Sequence, residues 1–318
     1  MLSPARDSAA GRLLGRVRAP LALFPNFVPA LRAYSGFSYS RLPWRGGDAR
    51  EAVCGRIGPL EVRLARNAAE VRSAQRLRYR VFYKEMSAVA DAPTKLARRD
   101  IDPYDAICDH LLVLDHATPH GAARKPAVVG TYRLLRQDVA ERHGGFYSGS
   151  EFDVAALLAR HRELRFLELG RSCVLPPYRN KRTVELLWHG IWSYVLHHRL
   201  DAMIGCASLE GIDPDRLALE LSFLHHHARA PEPWRARALA HRYVEMNRLR
   251  KSAIDPKAAL HALPPLIKGY LRLGATFGDG AVIDRQFGTT DVLVVLPVSA
   301  INARYVAHFG PTAERHAA

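Results

Sequence analysis

One stretch of the sequence, from Phe166 to Pro176, restricts the possible folds more than any other, because it is apolar like a buried strand and still contains charges. Glu168 and Arg171 lie inside the apolar run. Such a run is typical of a strand inside a parallel or mixed sheet, where an unpaired charge is costly. Side chains alternate between the faces of a strand, so a spacing of three would put the two charges on opposite faces unless a residue is inserted. Gly170 between them favours a β-bulge at that point.

Two interpretations of this charged strand stay open. Glu168 and Arg171 could form a buried structural ion pair, because such pairs also occur away from functional sites. Alternatively, the strand is kinked at a substrate site. We favour the second interpretation and expect the two side chains to lie together around the bulge, with Arg78 and Asp102 beside them.

Further charged motifs come before this strand in a fixed order. They are Arg78-x-x-x-Phe82, Asp102-x-x-Asp105, a strand that contains Arg133, and then Glu168-x-x-Arg171. This ordered set resembles the acyl-homoserine-lactone synthases, a branch of the GNAT acyltransferase superfamily.

Longer sequence blocks are similar to a second branch, the ornithine Nα-acyltransferases of bacterial ornithine-lipid synthesis, some of which carry the label hemolysin. The resemblance covers about residues 60 to 310. Its blocks are Gly144 to Ser148, Glu151 to Asp153, Glu168 to Leu175, Lys181 to His189, Gly205 to Gly211, Leu221 to His227 and Asp284 to Asp291.

The resemblance implies an α/β, GNAT-like acyltransferase fold, with a mixed central sheet, helices on both faces and a C-terminal extension. It implies transfer of a 3-hydroxyacyl group from acyl carrier protein (ACP) to the α-amine of L-ornithine, which forms lyso-ornithine lipid. No bound cofactor is expected. The donor is acyl-4'-phosphopantetheine, delivered on ACP as a substrate.

The same resemblance assigns site residues. Five are expected to bind substrate: Arg78, Phe82, Asp102, Asp105 and Arg133. Glu168 and Arg171 are the catalytic candidates. Arginine is suited to clamp the ornithine carboxylate through paired hydrogen bonds, and carboxylates suit its ammonium groups. Without the resemblance, the two aspartates would be interpreted as a solvated acidic turn.

The chemistry required is direct aminolysis of a thioester. An amine attacks only when deprotonated, so a group in the site must accept its proton. Glu168 is a candidate for this base; the alternative is that it only orients the substrate. In this superfamily the oxyanion is stabilised by backbone N–H groups exposed where the central strand leaves its neighbour, and the resemblance implies the same here. Cys173 could act as a nucleophile, but a cysteine in a strand is more often a small core residue.

Six residues are expected to contact the acyl-phosphopantetheine. They are Gly170, Ser172, Cys173, Arg179, Lys181 and Arg182. The segment Pro177 to Arg182 opens a helix where GNAT enzymes carry a glycine-rich loop around the coenzyme A pyrophosphate. The glycines are missing here, which an ACP-dependent enzyme could tolerate, because ACP presents one phosphodiester and no nucleotide. A helix N-terminus can still bind a phosphate.

A basic segment follows, and it provides a surface that an acidic carrier protein could bind. Its cations are Arg229, Arg235, Arg237, Arg242, Arg248, Arg250 and Lys251, while Glu232 and Glu245 are its only acids. A solvated basic helix is an equally good interpretation.

Composition sets broader limits. The 318 residues are 48% hydrophobic, which suffices for a packed core, and the formal net charge of +15 favours an anionic partner. The four cysteines show no pairing typical of disulfides or zinc sites, and the adjacent histidines at 197–198 and 225–227 have no carboxylates at ligand spacing, so no metal is expected. No apolar run approaches the ~20 residues of a membrane span. We expect a cytoplasmic protein whose only membrane contact is peripheral, on the inner face of the cytoplasmic membrane.

Three parts are predicted along the chain. Residues 1–55 form a basic, proline-containing arm, 56–310 the acyltransferase domain and 311–318 a tail. A signal peptide is disfavoured because Pro25 interrupts the apolar run; an arm on anionic lipid and a non-native start site stay open. Hydrophobic periodicity predicts strands at 60–64, 110–114, 127–135, 165–175 and 202–208, two more within 281–297, and helices at 68–85, 152–164 and 184–198.

Two other functions stay open. An acyl-homoserine-lactone synthase would use S-adenosylmethionine, but the chain beyond Gly211 fits the ornithine enzymes better. A nucleic-acid-binding protein is suggested by the charge alone, and no recognisable binding motif supports it. No nucleic-acid partner is therefore expected.

Overall fold

A computed structural model describes residues 55–120 and 125–301 of the chain. This part forms an eight-stranded mixed sheet in the order β1-β2-β3-β4-β5-β6-β8-β7. The strands are β1 Gly55–Ile57, β2 Leu60–Leu64, β3 Asp109–His120, β4 Lys125–Arg136, β5 Phe166–Val174, β6 Ala202–Glu210, β7 Thr276–Asp284 and β8 Thr289–Pro297. Neighbours within the described sheet are antiparallel except β5 and β6. The parallel pair requires a crossover, which the longest helix provides.

Helices pack on both faces of the sheet, as the sequence predicts. They are α1 Ala68–Arg78, α2 Ala92–Ala97, α3 Gln137–Ala140, α4 Val154–Arg160, α5 Lys181–His197, α6 Ala218–His227, α7 Pro256–Ala262 and α8 Pro265–Leu273. Ala74 of α1 packs on Leu112 of β3, whereas Leu186 of α5 lies in the core with Leu111. Because adjacent strand residues point to opposite faces, α1 and α5 lie on opposite sides of the sheet.

The predicted helix at 68–85 is helical throughout but changes its geometry. Asn67 begins α1 by accepting hydrogen bonds from two backbone N–H groups, and the residues from Tyr79 to Glu85 continue it as a π-helix. The helix expected at 152–164 is shorter, because Asp153 caps the start of α4 and the helix ends at Arg160.

The C-terminal extension contains more structure than periodicity predicted. The helices α6, α7 and α8 were not predicted, and the first of the two late strands begins at Thr276, earlier than expected. Strand β8 lies between β6 and β7, so the extension completes the central sheet.

Two irregularities in β5 shape the centre of the molecule. Thr131 of β4 lies opposite Cys173, and Arg133 opposite Gly170, so β5 carries one extra residue between these pairs. The bulge was expected at Gly170. It lies instead at Arg171 and Ser172, and Arg171 has the left-handed backbone, with φ +49°.

The second irregularity is the separation of β5 from β6. The strands pair from Phe166 to Glu168 of β5, and β5 then continues to Val174 away from β6. Gly205 lies where they separate, and a Cβ atom there would be 2.3 Å from the Leu169 carbonyl oxygen. The result is an opening between two adjacent strands beside the bulge, as the sequence analysis expected.

The predicted tail at 311–318 lies outside the described residues, and so does the predicted arm at 1–55 apart from Gly55. The domain boundaries stay predictions. Among the described residues, none of the helices has the length and apolar character that crossing a membrane requires.

Candidate active site

Six charged side chains form a closed ring beside the bulge, in which each arginine lies between two aspartates. Arg78 contacts Asp100 at 2.8 Å and Asp105 at 2.6 Å. Arg171 contacts Asp100 at 3.4 Å and Asp102 at 2.9 Å. Arg133 contacts Asp102 at 2.9 Å and Asp105 at 3.6 Å. We call this set, with three charges of each sign, the charge ring.

Local structure holds the aspartates of the ring. Asp102 accepts a hydrogen bond from the Tyr104 N–H at 2.7 Å, and Asp105 accepts one from the Asp102 N–H at 3.3 Å, so the pair caps the 3₁₀ turn Pro103–Ala106. Gln75 of α1 donates to Asp105 at 2.9 Å. The Asp-x-x-Asp spacing of the sequence is therefore a capping motif as well as part of the ring.

Burial makes the pairing within the ring strong. Arg78 is fully buried, and Asp102 and Arg133 are nearly so. Burial raises the pKa of Asp105, but hydrogen bonds and charge from Arg78 outweigh burial and bring that pKa to about 2. The ionised Asp105 carboxylate therefore stabilises the fold at pH values above about 4, the ordinary pKa of an aspartate. This contribution is lost as the pH falls toward 2.

Aromatic rings flank the guanidinium of Arg171. Its central carbon lies 5.0 Å from the Tyr147 ring centroid and 4.8 Å from that of Phe287. Phe82 packs edge-on against Phe287 at 5.7 Å. The predicted Phe82 thus reaches the ring through Phe287, a residue that the sequence analysis did not select.

Glu168 contacts the backbone of Tyr147 and is not ion-paired with Arg171 in the described part of the chain. Its carboxylate accepts from the N–H of Tyr147 at 2.8 Å, and from the N–H and hydroxyl of Ser148 at 2.8 and 2.5 Å. Burial raises the pKa of Glu168, and the Ser148 hydrogen bonds oppose the shift without cancelling it. Glu168 therefore holds the turn that presents Tyr147 to Arg133 and Arg171.

The structure brings together six of the seven predicted substrate-binding and catalytic residues through direct or shared partners, with Phe82 at the margin. The sequence motifs left out Asp100, and no role was predicted for any residue of the 144–148 block. Their signal was position: Asp100 precedes Asp102 by two residues, and Tyr147 falls in a block shared with the ornithine enzymes.

The six residues predicted to contact the acyl-phosphopantetheine are more dispersed. Gly170 and Ser172 adjoin Arg171 at the bulge, while Cys173 packs with Leu77 and Val81 under α1. Burial raises the pKa of the Cys173 thiol well above its usual value, which disfavours the thiolate.

The cations of this group lie at the start of α5. Arg179 pairs with Glu85, and Lys181 lies 3.4 Å from Glu185 within α5. Arg182 is exposed in the same first turn. All six assignments stay predictions.

A second polar group lies near Tyr147 and was not predicted. The thiol of Cys206 in β6 donates to Glu151 at 3.2 Å, and Asp291 of β8 lies beside them. Burial first, then the charge of Asp291, raises the pKa of Glu151 to about 7. The sequence signal was again a shared block, at 151–153.

The ligand-type atoms of Glu151, Cys206 and Asp291 lie within 4.8 Å of one another, a separation that a metal ion could bridge. A cysteine must lose its proton to bind metal. Burial and neighbouring carboxylates raise the pKa of Cys206 well above its usual value. The group is therefore better suited to hold a proton than a metal ion.

The predicted carrier-protein segment is less basic in three dimensions than in sequence. Arg229 contacts Asp279 of β7 at 2.8 Å, Arg242 lies 3.5 Å from Glu151, and Arg248 pairs with Asp215. Arg237, Arg250 and Lys251 are exposed, and Arg237 lies 3.8 Å from Asp279. The cations available to a partner lie mainly at the end of the segment.

One family model and several known proteins are similar to this chain. Residues 77–189 match the model of the acetyltransferase (GNAT) domain, a range that contains the charge ring and Glu168. Two solved structures are distant matches. An N-acyl amino acid synthase from uncultured soil microbes is 14% identical over 76% of this chain and 91% of its own, with a TM-score of 0.41. A CoA-dependent acyl-homoserine-lactone synthase is 12% identical over 79% and 90%, with a TM-score of 0.40.

Three sequence relatives are much more similar, and each is named L-ornithine N(alpha)-acyltransferase. The protein of Agrobacterium fabrum is 57% identical over 265 residues, which cover 83% of this chain and 90% of the relative. The protein of Rhizobium meliloti is 58% identical over 83% of this chain and 88% of its own length. The protein of Brucella abortus is 54% identical over 85% of this chain and 94% of its own length. On identity of this extent, the chain belongs to the L-ornithine N(alpha)-acyltransferase family and is an N-acyltransferase with the GNAT fold.

Proposed function

We propose that this protein transfers a 3-hydroxyacyl group from acyl carrier protein to the α-amine of L-ornithine and so forms lyso-ornithine lipid. The observation that carries the proposal is the charge ring beside the opening between β5 and β6. It supplies a buried, pre-oriented set of guanidinium and carboxylate groups next to a place where a thioester can lie.

Ornithine at neutral pH carries one carboxylate and two ammonium groups, and the site supplies charges of both signs. Arg171 is the ring arginine with the most exposed side chain, at 14%. Its planar fork suits the substrate carboxylate. The ring is balanced within itself, while Glu151 and Asp291 are further acids nearby, and each faces one cation, Arg242 for Glu151 and Arg171 for Asp291. A dicationic amino acid supplies the positive charge that balances them.

The acyl donor would lie in the opening between β5 and β6. The two strands stop pairing after Glu168, so the later part of β5 can offer backbone N–H groups to the thioester oxygen as negative charge develops on it. The amine attacks the carbonyl carbon, the carbon–sulfur bond breaks, and the pantetheine thiol leaves. Much of the rate then comes from positioning the two substrates.

The carrier protein is favoured as donor by two features. The segment from Pro177 to Arg182, which leads into α5, has none of the glycines that cradle a pyrophosphate, and Arg250 and Lys251 form an exposed basic surface. Both substrates are then available in the cytoplasm, with the lipid product at the inner face of the membrane.

The test is expression in a bacterial host that lacks ornithine lipids, with mass spectrometry of its lipids. We expect lyso-ornithine lipid with a 3-hydroxyacyl amide. Asp102→Asn, which keeps the shape of the side chain but removes its charge, should lose the product while the purified variant stays folded. Formation of an acyl-homoserine lactone instead, or an unchanged lipid profile with well-expressed protein, would contradict the proposal.

A further inference from the structure

We propose that Glu151 is the general base of the reaction, the group that takes the proton from the α-ammonium of ornithine. The inference rests on the proposed function, because it concerns the same site. It begins with position. Cys206, whose thiol lies 3.2 Å from the Glu151 carboxylate, follows Ile204 by two residues, and Ile204 is the last residue of β6 that pairs with β5. Glu151 therefore lies beside the opening, beyond the point where the strands separate.

The second step is a comparison with Glu168, the base that the sequence suggests. Glu168 still lies within the paired part of β5, and two backbone N–H groups and a hydroxyl donate to it. Those N–H groups belong to the turn and cannot leave without unfolding it. Glu151 accepts from a thiol, which is a weak donor. A proton can be added to Glu151 without displacing a backbone hydrogen bond.

Continuity with the charge ring is the third step. The ring of Tyr147 packs on the Arg171 guanidinium, and its hydroxyl is hydrogen-bonded to the same group. The Tyr147 hydroxyl also interacts electrostatically with Glu151 and Cys206. An amino acid whose carboxylate is bound by Arg171 would therefore extend its α-nitrogen past Tyr147, toward Glu151.

The groups around Glu151 account for its protonation. Its neighbours are Cys206 of β6, Asp291 of β8, Asp284 at the end of β7, Arg242, and Tyr147 on its own segment. Burial and the two aspartates raise its pKa, whereas Cys206 and Arg242 lower it, and the balance lies at about 7. A base with a pKa near the working pH is half ionised before each turnover and transfers protons efficiently.

The proton balance is complete without another reactant. The α-ammonium gives one proton to Glu151 and becomes a neutral amine, which forms the new carbon–nitrogen bond. Collapse of the tetrahedral adduct breaks the carbon–sulfur bond, and the second proton moves from nitrogen to the departing thiolate. Glu151 then releases its proton to solvent.

The experiment is the pH dependence of kcat/KM for ornithine at saturating acyl donor. For the unaltered protein we expect activity to rise with pH through a midpoint near 7, because the base must be ionised. Glu151→Gln should lower kcat/KM by roughly 10²-fold or more and remove this rise. Asp291→Asn should move the midpoint to lower pH and Cys206→Ala to higher pH. Glu168→Gln should keep the rise even where it lowers the melting temperature.

A measurement without substrate separates this inference from the proposed function. Infrared titration should show a protonated carboxyl band that disappears near pH 7 and is missing in Glu151→Gln. Lack of such a band, a normal pH profile in folded Glu151→Gln, loss of the rise in Glu168→Gln, or a stoichiometric metal lost in Glu151→Gln would each overturn the inference. Failure of the protein to acylate ornithine, with the band present, would contradict the substrate and leave the buried acid established.

Discussion

Arg171 adopts a backbone conformation that arginine rarely takes, and it does so at the centre of the site. Its φ of +49° lies in the left-handed region, which costs an L-residue roughly 1–2 kcal/mol. The contacts to Asp100 and Asp102, and the two aromatic rings, hold it there. The bulge therefore turns the guanidinium toward the charge ring, where a regular strand would point it to the other face.

Two substitutions of Arg171 separate the side chain from the backbone. Arg171→Ala and Arg171→Gly should both abolish acyl transfer, and each should destabilise the fold by about 3–5 kcal/mol because buried aspartates lose a partner. Glycine tolerates the left-handed conformation, so Arg171→Gly should be more stable than Arg171→Ala by about 1 kcal/mol. Urea unfolding measures both values. A less stable glycine variant would show that the strand becomes regular once the side chain is removed.

At the scale of elements, the opening between β5 and β6 depends on a close approach just before it. Gly205 allows the β6 backbone to lie against the Leu169 carbonyl, where a Cβ atom would be only 2.3 Å away. The strands thus pair tightly up to Glu168 and separate immediately after it. The position of the opening along β5 follows from this contact.

Gly205→Ala should force β5 and β6 apart and destabilise the fold by about 1–3 kcal/mol, because the added methyl group meets backbone. It should also lower kcat, since the opening would change shape. The matched control is Gly269→Ala in α8, where nothing lies within 4 Å of an added Cβ, and this change should stabilise the helix by about 0.5–1 kcal/mol. Thermal and urea unfolding of both variants provide the test; equal effects would argue against the contact.

At the scale of the whole molecule, the net charge of +15 is not spread as the sequence suggests. Tertiary contacts bring Asp279, Asp215 and Glu151 to the basic segment, and these pair with Arg229, Arg248 and Arg242. Of the segment's cations, Arg237, Arg250 and Lys251 stay exposed, so the surface proposed for an acidic carrier protein is smaller than the sequence suggests.

We expect higher kcat/KM with a 3-hydroxyacyl chain on ACP than with the same chain on coenzyme A, and a decline with added salt, because exposed charges are screened over ~8 Å near physiological ionic strength. The double change Arg250→Glu and Lys251→Glu should lower the ACP value by about tenfold at low salt and leave the coenzyme A value unchanged.

The control for that double variant is Arg56→Glu on β1, an edge strand of the sheet, which reverses a charge outside the basic segment. It should retain the ACP value. Equal efficiency on both carriers, or no response to salt, would contradict the carrier assignment.

Much of the fold and site follows from the sequence. Alternation in β2, apolar runs in β4 and β6 and the helical period of α5 predict those elements, because burial leaves a hydrophobic pattern that is visible in the chain. The motifs around Arg78, Asp102 and Arg171 also predict a common site. Each of these motifs is short enough to be recognised within one local stretch of the sequence.

Contacts between residues that are far apart in the sequence could not be predicted from the sequence in this way. Asp100 closes the charge ring from 71 positions before Arg171, and Glu151 meets Cys206 from 55 positions away. Periodicity records that a residue is buried but not which charge it meets. The bulge, the helices that complete the C-terminal extension and the pKa of Glu151 all depend on contacts between distant segments, and such contacts exist only once the chain has folded.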